Sequence, residues 1–171
     1  MTDRNSTLTA ARLRELLDYD PATGAFTWRK NLKGGMRNGD VAGCIGDRGD
    51  GGTYRRIRVD GVLYYSHRLV WLYVYGEWPT RQIDHKDGNS DRLANLRHSN
   101  QAQNVANARV RSDSASGFKG VKRRGRRWLA NCGKYLGSFS TPADAARAYD
   151  TEAISRYGAF ARTNKMLGLL P

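Results

Sequence analysis

The chain contains the hexapeptide Asp84-His85-Lys86-Asp87-Gly88-Asn89, which is followed by Asn95-Leu96 and, on a later segment, by Asn104. The hexapeptide begins with the last two residues of a predicted short strand, Gln82 to His85, and continues into a polar loop with turn-forming residues. A carboxylate therefore stands beside an imidazole whose pKa lies near neutrality, which pairs a hard oxygen ligand with a potential base. This combination is typical of sites that hydrolyse phosphodiesters with the help of a metal ion.

The alternation of side chains along a strand limits how Asp84 and His85 can share one site. Adjacent strand residues point to opposite faces, so a bulge or the end of the strand is needed to bring both into one cleft. Asn104 falls on a predicted polar helix, which can present a second oxygen ligand if it packs across the strand. The hexapeptide does not have the alternating oxygen ligands and closing Glu of a twelve-residue calcium loop.

The segments around the hexapeptide carry local signals for secondary structure. Asp60-Gly61 predicts a two-residue hairpin turn, and Gly76 predicts a helix end. The predicted elements are a helix capped by Thr9, a strand with Phe26 and Trp28, strands 54–59 and 62–65, a helix over Ser66 to Tyr75, and a polar helix from a Ser99 cap to about Arg109. Residues 30–53, rich in Gly and charge, are predicted to be loop. His67 opens the helix over Ser66 to Tyr75, and its role stays open between scaffold and second catalytic histidine.

The composition predicts a folded protein with a polyanionic partner. The 171 residues include 29 Lys and Arg against 16 Asp and Glu, a formal net charge of +13. This excess favours nucleic acid or an acidic membrane surface. A membrane span needs about 18 apolar residues, and the longest apolar run, Leu69 to Tyr75, is much shorter, so we expect no membrane partner. Met1-Thr2-Asp3-Arg4-Asn5 lacks the apolar core of a signal peptide, which predicts a cytoplasmic protein.

The cysteine content bears on metal binding and redox state. The two cysteines, Cys44 and Cys132, do not form a Cys-x-x-Cys motif, which excludes a zinc site built from four cysteines. A reducing compartment argues against a disulfide between them. We therefore expect two unpaired thiols and no structural zinc. As a separate expectation, the protein uses no small-molecule cofactor.

The C-terminal third of the chain is predicted to form a separate basic domain. The small, polar stretch Ser112 to Gly117 has the composition of a domain boundary. Short strands are predicted around Val121, Trp128 and Leu136, followed by a helix with a Thr141 cap. The apolar stripe of this helix, which should pack on the three strands, consists of Ala146, Tyr149, Ala153 and Tyr157.

A basic strand with aromatic residues between the charges can lie in a groove of DNA. Nine Lys or Arg residues against one acid, Asp113, lie between Arg109 and Lys134. We expect the contacts with DNA to come from Lys119, Lys122, Arg123, Arg124, Arg126, Arg127, Trp128 and Lys134.

Residues 67–109 resemble the HNH endonuclease family in its phage-type form. Asp84-His85 matches the first signature, Asn95-Leu96 the central Asn-Leu, and His67-Arg68-Leu69-Val70-Trp71 the helix before the motif. Asn104 matches the last position, which is Asn here rather than His. The resemblance implies a core of two strands and a helix around one divalent metal, Mg²⁺ or Mn²⁺. By the same analogy His85 is the general base, Asp84 and Asn104 bind the metal, and Asn95 holds the loop and orients the base.

Residues 116–164 resemble the plant ethylene-response-factor type of DNA-binding domain, which also occurs fused to HNH nucleases. The matching segments are Gly117-Phe118-Lys119-Gly120-Val121, Arg127-Trp128-Leu129-Ala130, Leu136-Gly137-Ser138-Phe139 and residues 141–150. The family usually has a longer hairpin where residues 131–135 stand here. The resemblance implies binding of duplex DNA, and the short hairpin leaves its sequence specificity open.

Together these features predict an α+β protein. We expect an HNH nuclease core of the ββα-metal type with N-terminal helix and strand decoration, then a small three-stranded antiparallel sheet packed on one helix. The predicted domains are a leader, 1–53, a nuclease domain, 54–111, a linker, 112–116, a DNA-binding domain, 117–164, and a tail, 165–171. The predicted function is metal-dependent cleavage of double-stranded DNA by a homing or mobile-element endonuclease, encoded by a phage or its bacterial host. The alternative is a non-catalytic DNA-binding regulator with a vestigial nuclease core.

Overall fold

A computed structural model describes residues 8–47, 52–88 and 90–171 of the chain. The structure is mixed α+β, which confirms the class expected from the sequence, while the finer ββα-metal arrangement stays a prediction. The chain divides into two units between Ser99 and Asn100. In the described part of the chain, no helix combines the length and the apolar character that crossing a bilayer requires.

The described part of the first unit contains two helices and three small antiparallel sheets. Its elements are α1 (Ala10–Leu16), β1 (Leu17–Asp20), β2 (Ala25–Trp28), β3 (Cys44–Asp47), β4 (Thr53–Val59), β5 (Val62–Tyr65), α2 (Ser66–Tyr75), β6 (Gln82–His85), a 3-10 turn (Leu93–Asn95) and β7 (Leu96–Ser99). The sheets pair β1 with β2, β3 with β4 and β5, and β6 with β7.

The local signals read from the sequence account for most of these elements. The Thr9 side chain caps α1 by accepting a hydrogen bond from the Arg12 amide at 3.2 Å. Asp60 and Gly61 both have positive φ, 46° and 82°, as a two-residue turn that matches the strand twist requires. Gly76 ends α2 in the left-handed conformation. The predicted bounds of α2 and β6 and the hairpin with its turn at Asp60-Gly61 are thereby confirmed.

Two predictions in the first unit are wrong. Residues 30–53 are not all loop, because Cys44–Asp47 forms β3, and its pairing with the next strand, β4, overrides the Gly-rich local composition. Ser99 does not cap the polar helix, because it belongs to β7 and pairs with Gln82. The cap is Asn100, which forms a reciprocal capping box with Gln103.

The core of the first unit joins its N-terminal segment to the helix that precedes the hexapeptide. Fully buried side chains from α1, β2, β4 and α2 form one apolar cluster, among them Leu13, Phe26, Ile57, Leu69 and Val70. Burial of this apolar surface is the main stabilising contribution, so the N-terminal segment is part of the scaffold that holds β6.

The second unit contains a three-stranded sheet and a long helix. Its elements are α3 (Gln101–Asn107), β8 (Val121–Arg124), β9 (Arg127–Asn131), β10 (Tyr135–Phe139), α4 (Pro142–Tyr157) and a 3-10 turn (Gly158–Phe160). The strand order is β10-β9-β8, all antiparallel. Thr141 caps α4, and Ala146, Tyr149 and Ala153 are buried. The predicted three-stranded sheet packed on one helix is therefore present.

The division between the units lies before α3, whereas the sequence places a linker at residues 112–116. Helix α3 contacts α4, and the Ala106 carbonyl accepts a hydrogen bond from the Arg162 amide at 3.1 Å. The helix also ends at Asn107 rather than near Arg109. These contacts associate the helix that carries Asn104 with the C-terminal sheet.

A buried polar network closes the second unit. The Asn164 side chain is fully buried and accepts a hydrogen bond from the Lys119 amide at 2.7 Å, while its Nδ2 donates to Asp150 Oδ1 at 2.8 Å. The Lys119 ammonium donates to the carbonyl oxygens of Ala106, Ala108 and Arg162. Burial lowers the pKa of Lys119 to about 8.

Candidate functional site

Asp84 and His85 lie at the end of β6, which pairs with β7 in regular register. Their side chains have different partners. Asp84 Oδ2 accepts a hydrogen bond from Nε of Arg97 at 2.9 Å and forms an ion pair with its Nη2, also at 2.9 Å. Arg97 is directly opposite Asp84 on β7. Side chains alternate along a strand, and His85 accordingly contacts a separate group of residues that includes Asp91.

His85 forms a buried imidazole–carboxylate pair with Asp91. The Nε2 atom of His85 is 2.8 Å from Asp91 Oδ1, and the two side chains are only 7% and 9% exposed. A carboxylate bonded to one ring nitrogen fixes the orientation of the imidazole. The pair therefore has the composition of a base and its orienting group.

His67 completes a cluster of three possible metal ligands. It lies at the start of α2, and its ring contacts the ring of His85 edge to face with 5.2 Å between the centroids. The donor atoms of His67, His85 and Asp91 all lie within 4.8 Å of one another, and all three residues are buried. Two imidazoles and one carboxylate are suitable ligands for a divalent metal ion.

Asn95 holds the loop that leads away from His85. Its Oδ1 accepts a hydrogen bond from the Asp87 amide at 3.0 Å, and its Nδ2 donates to the carbonyls of Asp87 and Ser90 at 3.1 and 2.8 Å. The Lys86 amide donates to the Asn95 carbonyl at 2.9 Å. Asn95 is buried, so its amide satisfies backbone groups that would otherwise lack partners.

The β1–β2 hairpin supports the Asp91 segment from the other side. The Tyr19 hydroxyl donates to the Asp91 carbonyl at 3.0 Å and accepts from the Leu93 amide at 2.8 Å. At Gly24, where φ is +79°, an added Cβ would lie 2.4 Å from the Arg92 nitrogen. Partial burial raises the pKa of Tyr19, which keeps the hydroxyl protonated as a donor. The N-terminal segment, to which the sequence assigns no chemical role, thus fixes the residue that orients His85.

Replacing Tyr19 with Phe should loosen this segment because one amide and one carbonyl lose their partners. We expect the free energy of unfolding to fall by about 1–2 kcal/mol. Backbone amides of residues 90–95 should exchange with solvent faster than in the unmodified chain, as measured by hydrogen exchange. Tyr75→Phe is the control, because Tyr75 is exposed at the end of α2. Equal exchange at residues 90–95 in both variants would contradict the supporting role of Tyr19.

Asp91 is not among the functional residues that the sequence predicts. Its position in a polar loop gives no periodic signal, and its significance comes from the distance to His85, which only the tertiary structure shows. Asn104, in contrast, is a metal ligand predicted from the sequence, and it lies on α3 of the second unit. The assignment of Asn104 and Asp84 as joint metal ligands stays a prediction.

One face of the sheet in the second unit carries the positive charge. Val121 and Ala130 are paired across β8 and β9 and are buried in the cluster that α4 covers. Side chains alternate along each strand, so Lys122, Arg124 and Arg127 lie on the opposite face, and all three are exposed. This sheet face presents three cations within two neighbouring strands.

The remaining predicted DNA contacts are placed differently. Lys119 is buried with its ammonium bonded to backbone carbonyls, so it is not available to a phosphate. Trp128 is half-buried against the hydrophobic cluster, on the helix side of the sheet, with the Arg123 guanidinium 5.7 Å from its ring centroid. Arg126 is exposed in the β8–β9 turn, and Lys134 is exposed and pairs with Glu152 at 2.9 Å.

The comparison with protein families places these residues in a known context. Residues 64–106 match the family model described as HNH endonuclease, and this range includes His67, Asp84, His85, Asp91 and Asn95. Neither the curated proteins nor the solved structures gave a significant match. The family match supports a nuclease, a hydrolase that acts on DNA. HNH nucleases use a divalent metal, and the cluster of His67, His85 and Asp91 could hold one.

Proposed function

We propose that the chain is a divalent-metal-dependent endonuclease that hydrolyses phosphodiester bonds in duplex DNA. The observation that carries the proposal is the buried His85–Asp91 pair at the end of β6, inside the range that matches the HNH family. A histidine held by a carboxylate is a suitable general base for the attack of water on phosphorus. The resemblance of the sequence to phage-type HNH proteins suggests that the enzyme belongs to a homing or mobile element.

In this proposal His85 takes the proton from the attacking water, and Asp91 stabilises the positive charge that then develops on the imidazole. The 2.8 Å contact between them keeps the ring in one orientation during this step. Asn95 acts as a positioning residue because it fixes the backbone of residues 87 and 90, between His85 and Asp91.

The resemblance to HNH nucleases assigns two oxygen ligands to the metal, the Asp84 carboxylate and the Asn104 amide. Donors of this kind fit Mg²⁺ or Mn²⁺, and a bound cation would stabilise the negative charge on the phosphate. The positive charge of Arg97 neutralises the charge of the Asp84 carboxylate through the ion pair between them. Arg97 thereby restrains Asp84, and the role that we assign to Arg97 is to hold this carboxylate in place.

The experiment that tests the function is cleavage of a supercoiled plasmid by the full chain. We expect nicked or linear DNA with Mg²⁺ or Mn²⁺ and none after chelation of the metal. Asp84→Ala and Asn104→Ala should reduce cleavage and weaken Mn²⁺ binding measured by calorimetry, since each removes an oxygen ligand. A chain that binds DNA tightly but cuts it with neither metal would instead support the alternative, a non-catalytic DNA-binding regulator.

The second unit is proposed to hold the DNA during cleavage. The supporting observation is the exposed sheet face with Lys122, Arg124 and Arg127, next to the turn that carries Arg126. A basic sheet face can lie against a DNA groove, with its cations on phosphates. The resemblance to ethylene-response-factor domains likewise implies that this unit binds duplex DNA. Lys119 and Trp128 are left out of this surface because they are buried or lie on the helix side.

Arg124→Ala combined with Arg126→Ala should weaken binding to DNA and lower its dependence on salt. Each phosphate contact contributes about 0.9 to the slope of log K against log salt concentration, so the slope should become shallower by about 2. Fluorescence anisotropy with a short duplex at several salt concentrations measures this. Arg111→Ala is the matched control, because Arg111 lies off the sheet and pairs with Asp113 at 2.9 Å. Equal slopes for the double variant and the unmodified chain would exclude the sheet face as the binding surface.

A further inference from the structure

We propose that His67, His85 and Asp91 form a binding site for a zinc-class transition metal, and that this site is separate from the oxygen ligands proposed for Mg²⁺. The donor atoms of the three side chains lie within 4.8 Å of one another. The side chains are 9%, 7% and 9% exposed, so each is more than nine-tenths buried. Three convergent, buried donors from different parts of the chain are unusual unless they share a ligand or a proton.

The chemistry of the donors selects the class of metal. Imidazole nitrogen is a preferred ligand of Zn²⁺, Ni²⁺ and Co²⁺, whereas Mg²⁺ prefers oxygen ligands and gives up its water reluctantly. Ligand atoms in a tetrahedral zinc site lie roughly 3.4 Å apart, and His85 Nε2 and Asp91 Oδ1 are 2.8 Å apart. Small side-chain adjustments therefore suffice to bring all three donors onto one ion.

The scaffold holds each donor from a different element. His67 lies on α2, with its ring stacked on Tyr65 at 5.5 Å between centroids and close to Tyr54 at 5.6 Å. His85 ends β6, and Asp91 lies on the segment that the Tyr19 hydroxyl fixes. Donors that are fixed before the ion arrives lose little conformational entropy on binding it.

Metal binding at this site should inhibit the enzyme, and this second part of the inference depends on the function proposed above. The metal would occupy the His85 nitrogen that now contacts Asp91, and it would take the carboxylate away from its orienting role. His85 would then be unable to serve as the general base. His85 and Asp91, which support cleavage in Mg²⁺, would thus make the cleavage reaction sensitive to Zn²⁺.

The binding experiment is a calorimetric titration of the full, metal-free chain with Zn²⁺. We expect one tight site, whose affinity falls at least about tenfold in His67→Gln and in Asp91→Asn. His98→Gln is the control, because His98 is the third and last histidine of the chain and lies outside the cluster. No tight Zn²⁺ site, equal affinity in both cluster variants, or an equal loss in His98→Gln would overturn the proposal. Asp91→Asn is nearly isosteric and still decides the question if His67→Gln fails to fold.

The cleavage experiment separates this proposal from the proposed function. One equivalent of Zn²⁺ in the presence of excess Mg²⁺ should suppress plasmid cleavage by the unmodified chain, and the factor of suppression should be smaller in His67→Gln. A chain that binds Zn²⁺ at the cluster but never cuts DNA would contradict the proposed function and leave the metal site standing. A chain that cuts DNA with equal rates with and without Zn²⁺ bound at the cluster would contradict the inhibitory role.

Discussion

We expect His85→Ala to slow metal-dependent cleavage of plasmid DNA at least about 100-fold, the contribution typical of a general base. The structure places the His85 imidazole 2.8 Å from the Asp91 carboxylate, which fixes its orientation. Alanine removes the base and leaves Asp91 without its partner, while the basic sheet face of the second unit is unchanged. Binding of duplex DNA should therefore stay close to that of the unmodified chain, as measured by fluorescence anisotropy in the same buffer.

The matched control for this variant is His98→Ala. His98 lies on β7, and its ring contacts Trp71 with 4.1 Å between centroids rather than the cluster. Loss of this ring should reduce stability modestly without removing the base. Similar cleavage rates for His85→Ala and the unmodified chain would exclude His85 as the base, and similar losses for both histidine variants would show that general destabilisation explains the effect.

Gly120→Ala is expected to destabilise the second unit by about 2–4 kcal/mol, from overpacking and backbone strain together. Gly120 has a φ of +73°, and a Cβ there would lie 1.9 Å from Cδ2 of Tyr149. Tyr149 is buried under the sheet on α4, so its ring has little room to move away. Amides of α4 should exchange with solvent much faster in this variant, and hydrogen exchange measures the effect in that unit alone.

The control for this prediction is Gly125→Ala in the β8–β9 turn. Gly125 has a similar φ, +59°, but no atom lies within 4 Å of its added Cβ. Both substitutions impose the left-handed conformation on alanine, which costs about 1 kcal/mol. The difference between their free energies of unfolding therefore measures the clash with Tyr149 alone. Equal destabilisation by both substitutions would show that the contact with Tyr149 contributes little.

Elements with strong local signals could be predicted from the sequence. Asp60-Gly61 specifies a turn through its backbone conformation, and Thr141 specifies the start of α4 through its hydrogen bond to the Asp144 amide at 3.1 Å. Strand β3 was not predicted because its local composition is rich in glycine and charge, and its stability comes from pairing with the next strand, β4. Lys119 was assigned to DNA by its charge, whereas carbonyl groups distant in sequence enclose its ammonium.

The candidate site was predictable only in part, because some of its residues meet only through contacts between separate parts of the chain. Asp84, His85 and Asn95 follow one another in a recognisable motif, and the side-chain contacts of Asn95 tie its loop together. Asp91 and His67 acquire their significance from distances to His85 across three elements. A motif in one sequence shows which residue types are present, while contacts between separate elements determine which of them meet.

The hydrogen bonds of Tyr19 limit how far the catalytic motif can be moved between proteins. A graft or recombination event that transfers only residues 64–106, the range matched by the HNH family, would leave behind the Tyr19 hydroxyl that holds the Asp91 carbonyl. It would also leave behind the close approach of Gly24 to the backbone at Arg92. The transferred segment would include Asp91, but it would lack the contacts that align Asp91 with His85. The smallest transplantable portion of the proposed nuclease therefore begins upstream of Tyr19.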